Sequence, residues 1–231
     1  MQTLSLVAEH DDFLVINKPS GVNFHTESDE LGLVEQARQQ FASELWPVHR
    51  LDKLTSGLLL LAKSKVATAR FQELFSQGLV NKYYLALATN KPKKKQGLIK
   101  GDMLKARNGS WKLGHSQSKP AITQFFSYAL LPKRRLFLLK PHTGRTHQLR
   151  VALKSLGSPI LGDVRYSGDS AERGYLHAYG LTFDWHGEQL RFLATGNLDG
   201  EFERFEVAEK IVSLAKPWDM NFPTLSGPTA K

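Results

Sequence analysis

His49-Arg50-Leu51-Asp52-Lys53-Leu54-Thr55-Ser56-Gly57-Leu58-Leu59-Leu60-Leu61-Ala62 passes from a polar loop straight into a continuous apolar run. A run of that length with no polar interruption predicts a buried strand. The polar half then lies in a loop that a rigid scaffold can present to a substrate. Upstream, Val34, Ala37, Phe41 and Leu45 recur at helical spacing over 33–45, and Pro47 predicts the stop. Further back, the apolar run 13–16 predicts a strand that ends in the turn Asn17-Lys18-Pro19-Ser20-Gly21. Downstream, Ser64 is placed to cap a helix whose apolar face is Ala67, Phe71, Leu74 and Phe75, with Gly78 at its exit. Residues 82–88 then alternate as a strand does, with Tyr84, Ala86 and Ala88 on one face and Tyr83, Leu85 and Leu87 on the other.

The second half of the chain repeats this mixture. Residues 97–119 hold Gly, Lys and Ser with few apolar anchors and read as irregular. Two paired strands are expected over 121–130 and 135–139, around Pro132-Lys133. A helix is expected over 146–156, with Leu149, Leu153 and Leu156 inward and His147, Arg150 and Lys154 on its other face. A hairpin around His186-Gly187 joins 176–184 to 189–194. Strands and helices without regular alternation argue for an α+β fold rather than a doubly wound sheet. The expected organisation is one domain over 1–216, followed by a flexible C-terminal tail over 217–231.

Lys and Arg number 31 against 22 Asp and Glu, giving a net charge of +9 and a pI of about 9.7. Such a balance attracts polyanions, nucleic acid above all. The chain has no cysteine, which excludes disulfides, thiolate metal sites and a cysteine nucleophile, and suits a reducing cytoplasm. Residues 1–10 lack the pattern of a signal peptide, and no apolar run approaches the ~20 residues that span a bilayer.

Two polar segments carry the chemistry. In the first, Arg50 stands two residues from Asp52, and a nearby cation keeps a carboxylate ionised. The plain alternative is an aspartate capping a turn closed by Thr55 and Ser56. The second, Lys140-Pro141-His142-Thr143-Gly144-Arg145-Thr146-His147-Gln148-Leu149-Arg150, joins a strand to a helix and suits phosphate at the helix start. Its plain alternative is a turn with solvated arginines.

Taken together, the two segments resemble the catalytic signature and the later motif of the RluA-type pseudouridine synthase family. Four more segments match in the family's order: 17–21, Lys82-Tyr83-Tyr84-Leu85-Ala86, Gly157-Ser158-Pro159-Ile160-Leu161-Gly162-Asp163, and Leu176-His177-Ala178. The resemblance covers roughly residues 7–194. It implies a catalytic domain of mixed, mostly antiparallel sheet with surrounding helices and a central basic cleft. It implies isomerisation of uridine in structured RNA, a ribosomal or transfer RNA stem-loop, with no metal and no cofactor. Asp52 takes the place of the catalytic aspartate, Tyr84 of the tyrosine stacked near the base, and Arg150 of the arginine paired with the aspartate. Arg50 takes that of the arginine entering the space left by the flipped nucleotide. Lys82, Arg145 and His147 are further candidates for substrate binding. His147 and His177 also fit satisfied structural histidines, and Lys18 and Lys82 either hold phosphate or are exposed.

Ala152 departs from the pattern, since many members have a histidine there, and the strand ending at Ala194 lacks the usual proline. Nothing before Val7 leaves room for the small N-terminal RNA-binding domain of many relatives, so a stand-alone catalytic domain that recognises RNA by itself is expected. The resemblance further implies a monomeric, cytoplasmic enzyme, with neither membrane nor obligate protein partner. Two alternatives remain at this stage. One is an RNA-binding module without activity. The other is a nucleosidase or glycosidase, which needs a second carboxylate, for which Asp163 and Asp169 are available.

Overall fold

In chain order, the computed structural model has β1 (Ser5–Glu9), β2 (Phe13–Lys18), α1 (Leu33–Phe41), β3 (Trp46–Pro47), β4 (Ser56–Ala62), α2 (Lys65–Ser76), β5 (Asn81–Ala88) and β6 (Gln96–Gly101). There follow β7 (Met103–Lys105), β8 (Trp111–Leu113), β9 (Ala121–Leu131), β10 (Arg134–Pro141), α3 (Gln148–Ser155), β11 (Leu176–Trp185), β12 (Glu188–Leu193) and α4 (Phe205–Val212). The structure describes residues 3–26, 31–196 and 198–225. The fold is α+β, with mostly antiparallel strands and one parallel pair, β4 with β11, among the pairings described. The chain divides into two compact units, one of residues 1–81 and 177–199, the other of 82–176 and the residues from 200 onward.

In the first unit, β4 is buried along its whole length. One edge pairs with β2 throughout, from Gly57 opposite Lys18 to Ala62 opposite Phe13. The other edge is shared, by β11 at its start and β3 at its end. Gly57 is needed where β11 arrives. Its φ is +105°, and a Cβ there would lie 2.3 Å from the Ala178 carbonyl oxygen. The core of the unit gathers Phe13, Val15, Leu58, Leu60, Phe71 and Trp185, and Phe71 stacks on Trp185 at 4.3 Å. The Ser64 hydroxyl caps α2, accepting from the Ala67 N–H at 3.0 Å. Helix α1 ends at Phe41, earlier than the apolar spacing to Leu45 predicted. Ala42 turns left-handed there, with φ 47°, and Leu45 joins the core from a loop.

In the second unit, β10 lies between β5 and β9, and β6 follows on the far side of β9. Cross-strand register sets two faces. Tyr84 opposes Leu139, and Leu139 opposes Phe125, so these three share one face. Helix α3 begins over that face, where the Gln148 amide donates to Thr123 Oγ1 at 3.0 Å. Lys140 opposes Gln124 on the other face, with its Nζ 5.5 Å from the Tyr83 ring centroid.

Within 97–119 the reading of an irregular segment is corrected in part, 114–119 staying outside strand and helix. Residues 96–101 pair with β9 and 103–105 pair with 111–113 as a ribbon. Backbone hydrogen bonds hold these strands, so they need few of the apolar side chains from which periodicity is read. The segment after Pro217 also differs from expectation. Pro217–Asp219 forms a turn of 3-10 helix, and Phe222 packs against Tyr83 at 6.1 Å and Phe126 at 5.0 Å. The Gln124 amide donates to the Pro223 carbonyl. The expected mobility of 226–231 lies outside the described residues. Phe222→Ala is expected to cost about 1 kcal/mol, from lost apolar area and ring contact. Thermal melting and faster proteolytic clipping near residue 220 would register it, and an unchanged clipping rate would contradict the docked segment.

Candidate active site

Arg50 and Asp52 belong to the first unit. Lys82, Tyr84, Arg145, His147 and Arg150 belong to the second.

Asp52 is half-buried in the loop before β4, and its carbonyl accepts from the Thr55 N–H at 3.0 Å, which tightens the turn. Arg50 beside it is exposed. The three residues after Asp52 are held by the turn that leaves β2. Lys18 Nζ donates to the carbonyls of Lys53 at 3.1 Å and Thr55 at 2.8 Å, and to that of Pro19 at 2.9 Å. The Ser20 hydroxyl donates to the Leu54 carbonyl at 2.8 Å, and the Gly21 N–H to that of Lys53 at 2.8 Å. Lys18 is 0% exposed, so the expectation of a phosphate-holding or solvated lysine is corrected. Removing an ammonium from water costs several kcal/mol, and carbonyl acceptors offset that cost. The pattern that could have revealed it is a lysine closing the run Phe13-Leu14-Val15-Ile16-Asn17, every residue of which is buried.

His177 is also structural. It is 0% exposed and opposes Ser56 across the parallel pair. Its Nε2 lies 2.9 Å from the Ala194 carbonyl, which can only accept, so Nε2 carries the hydrogen and Nδ1 accepts from the Ser56 hydroxyl at 2.8 Å.

In the second unit, the motif turn is organised by Gln148, which is buried at 6% exposure. Its Oε1 accepts from the Thr143 hydroxyl at 2.7 Å and the Arg145 N–H at 3.0 Å. Its amide donates back to the Ile122 carbonyl at 3.1 Å and to Thr123 Oγ1. Position 145 is not the Ser or Thr of a capping box, and the residue before α3 is His147, so this brace leaves no standard signal in the sequence. His147 is left-handed, with φ 56°, so α3 starts at Gln148 rather than Thr146. Gln148→Ala leaves an amide N–H and a hydroxyl without their shared partner, an expected loss of about 2 kcal/mol. Amide exchange at Arg145 should speed up by at least tenfold, and native-like protection there would contradict this role.

The turn displays exposed Arg145. Its charge helps hold Asp102 below the usual carboxylate range, behind the larger effects of the Ser116 hydroxyl and the Lys119 and Ser118 amides. Arg150 corrects the reading of an outward face on α3, being only 6% exposed. It forms a bidentate pair with Asp163, Nε to Oδ2 at 2.7 Å and Nη2 to Oδ1 at 2.8 Å. Its Cζ also lies 4.8 Å from the Tyr166 ring centroid. Gly162 shapes the turn that delivers Asp163. A Cβ there would lie 1.8 Å from the Arg173 carbonyl oxygen, at φ +81°. Asp163 stands in the quoted segment 157–163, but nothing in its spacing names Arg150 as its partner. Tyr166 lies outside every quoted segment.

On β5, Tyr84 and Lys82 are half-buried, and burial lowers the Lys82 pKa. Burial likewise lowers that of Lys140. His142 is pushed down by burial first, then by Lys140 and Lys82, and is neutral at pH 7. Its Nε2 meets Gln124 Oε1 at 2.6 Å. Among the described residues, no group of three or more His, Asp or Glu is placed to hold a metal ion, and no helix is long and apolar enough to cross a membrane.

Comparison with known proteins agrees with the motifs. A family model described as RNA pseudouridylate synthase matches residues 12–155. A Haemophilus influenzae protein described as an uncharacterized RNA pseudouridine synthase is 54% identical over 185 residues, which cover 79% of this chain and 83% of that one. The ribosomal large subunit pseudouridine synthase C of Rickettsia bellii is 38% identical over 187 residues. That match covers 75% of this chain but 61% of the relative, so the chain spans about three fifths of its length. Among solved structures, human RNA Pseudouridylate Synthase Domain Containing 1 superposes with a TM-score of 0.73 at 30% identity, covering 85% of each chain.

Proposed function

The chain belongs to the RNA pseudouridylate synthase family, whose members are isomerases acting on RNA, and on that premise we propose that it converts specific uridines of ribosomal or transfer RNA to pseudouridine with Asp52 as the catalytic carboxylate. The reaction breaks the bond from N1 to ribose C1′, turns the base, and joins C5 to the same carbon. The C5 proton leaves and N1 gains one, so atoms and electrons balance within the nucleotide. Asp52 acts on the sugar, as nucleophile or as base. Tyr84 holds the detached base by stacking. Arg150 supplies positive charge. Arg50 enters the stack that the flipped nucleotide leaves, at a cost of a few kcal/mol that favours loops and weak pairs. Lys82, Arg145 and His147 engage the RNA backbone. As part of the same proposal, it works in the cytoplasm.

The observation that carries the role of Asp52 is the clamp on the residues that follow it. A buried lysine held by the backbone of 53 and 55 fixes the approach of this loop, which a turn-capping aspartate would not require. The name of the Rickettsia relative favours ribosomal RNA over transfer RNA. The hydrolase alternative loses support because Asp163 is engaged by Arg150 and Asp169 accepts from the Thr89 hydroxyl. Uridine-C5-tritiated RNA from cells lacking the protein tests the proposal. Tritium release from the ribosomal fraction is the expected result. Release confined to transfer RNA would change the substrate, and free uracil would restore the hydrolase.

A further inference from the structure

Tyr166 closes a single turn of 3-10 helix, Val164–Tyr166, immediately after Asp163. It is 0% exposed. Its hydroxyl has two neighbours: the Trp111 N–H at 3.0 Å, on β8, and His147 Nδ1 at 2.7 Å, at the start of α3. An amide N–H can only donate, so the phenol oxygen accepts there. The phenol hydrogen then needs an acceptor of its own in a dry site, and His147 Nδ1 is in reach. A ring nitrogen that accepts carries no proton, so the hydrogen of neutral His147 sits on Nε2.

The surroundings hold Tyr166 still. Arg150 Cζ lies 4.8 Å and Lys154 Nζ 5.8 Å from its ring centroid, and His147 meets it edge to face at 5.6 Å. His147 itself has φ 56°, a left-handed backbone that is strained for a residue other than glycine. What the strained backbone achieves is to bring Nδ1 to the phenol.

We propose that Tyr166 is a positioning residue for RNA binding, which fixes His147 as its Nε2–H tautomer so that this N–H donates to an acceptor oxygen of the RNA backbone. The inference rests on His147 being a substrate-binding residue, as read above. The geometry also makes the β7–β8 ribbon a partner in that donor, because the Trp111 amide occupies the phenol oxygen and so directs its hydrogen toward His147.

Tyr166→Phe keeps the ring and both cation contacts and removes only the hydroxyl. The expected result is a rise of about tenfold in the Kd and KM for RNA, the worth of one oriented hydrogen bond, with kcat changed less than about twofold. A role confined to stability would not act through His147. In a His147→Ala background, Tyr166→Phe should therefore leave Kd unchanged; equal penalties in both backgrounds would overturn the proposal. Imidazole 15N spectra of the wild-type chain at neutral pH should show His147 protonated at Nε2 alone, and protonation at Nδ1 would overturn it directly. Filter binding and the spectra need no turnover. A chain that binds RNA with this coupling but forms no pseudouridine would refute the proposed activity while leaving the Tyr166 assignment standing.

Discussion

Asp52→Asn is expected to abolish pseudouridine formation while leaving RNA affinity within about threefold of wild type. Asparagine keeps the size and one acceptor oxygen of the side chain, and the clamp on the loop acts through backbone carbonyls that the substitution does not touch. It loses the negative charge that a nucleophile or a base toward the sugar requires. A side chain acting as a base contributes roughly a hundredfold to ten-thousandfold to rate, and loss of a nucleophile removes the covalent route altogether. Interactions made mainly in the transition state lower kcat rather than weaken binding. Tritium release and filter binding on the same RNA separate the two quantities. Turnover by the variant within tenfold of wild type would remove Asp52 from the mechanism, and lost binding with lost turnover would point to a collapsed loop.

Arg150→Met is expected to lower stability by roughly 3–5 kcal/mol, because it leaves the Asp163 carboxylate buried without its cation. The Asp163 side chain is 1% exposed, so water cannot replace the guanidinium without opening the site. In a chain of this size each kcal/mol is worth about 2–4 °C, so the melting temperature should fall by roughly 6–20 °C. The companion variant, Arg150→Met with Asp163→Leu, removes both charges. It should recover much of the loss, since a buried ion pair can often be exchanged for apolar packing at little cost. Activity should stay absent in both if Arg150 serves the reaction. A double variant that regains turnover would restrict Arg150 to holding the turn around Asp163.

The elements most legible in the sequence were those whose stability comes from their own apolar pattern. Strand β4 announced itself by its unbroken run, α2 by Ser64 and Gly78, and the β11–β12 hairpin by His186-Gly187, both of which adopt positive φ. What stayed hidden depends on partners distant in sequence. Ribbon β7–β8 is held by its own backbone bonds and by the Trp111 amide on Tyr166, and neither leaves a mark in hydrophobic spacing. The ends of α1 and α3 shifted because Ala42 and His147 take left-handed conformations that their residue types do not advertise. At the candidate site, the motifs pointed to the side chains and said little about their surroundings. Arg150 was read as facing outward because a periodic pattern sorts arginine with the polar face, whereas Asp163, thirteen residues on, draws it inward. Lys18 was misjudged for the same reason. A charge satisfied by main-chain oxygens has no complementary side chain in the sequence to predict it.

The clamp on the Asp52 loop joins stretches more than thirty residues apart in the chain, Lys18 through Gly21 on one side and Lys53 through Thr55 on the other. The signature from His49 to Gly57 is therefore not a portable cassette. Transplanted into another scaffold it would carry every recognisable letter of the motif, and a database search would still find it. Its carbonyls would have lost the cation that orients them, and Asp52 would sample many poses in place of one. Inheritance of the activity then depends on two segments travelling together, and a lineage that altered the first could lose the enzyme while its motif stayed intact.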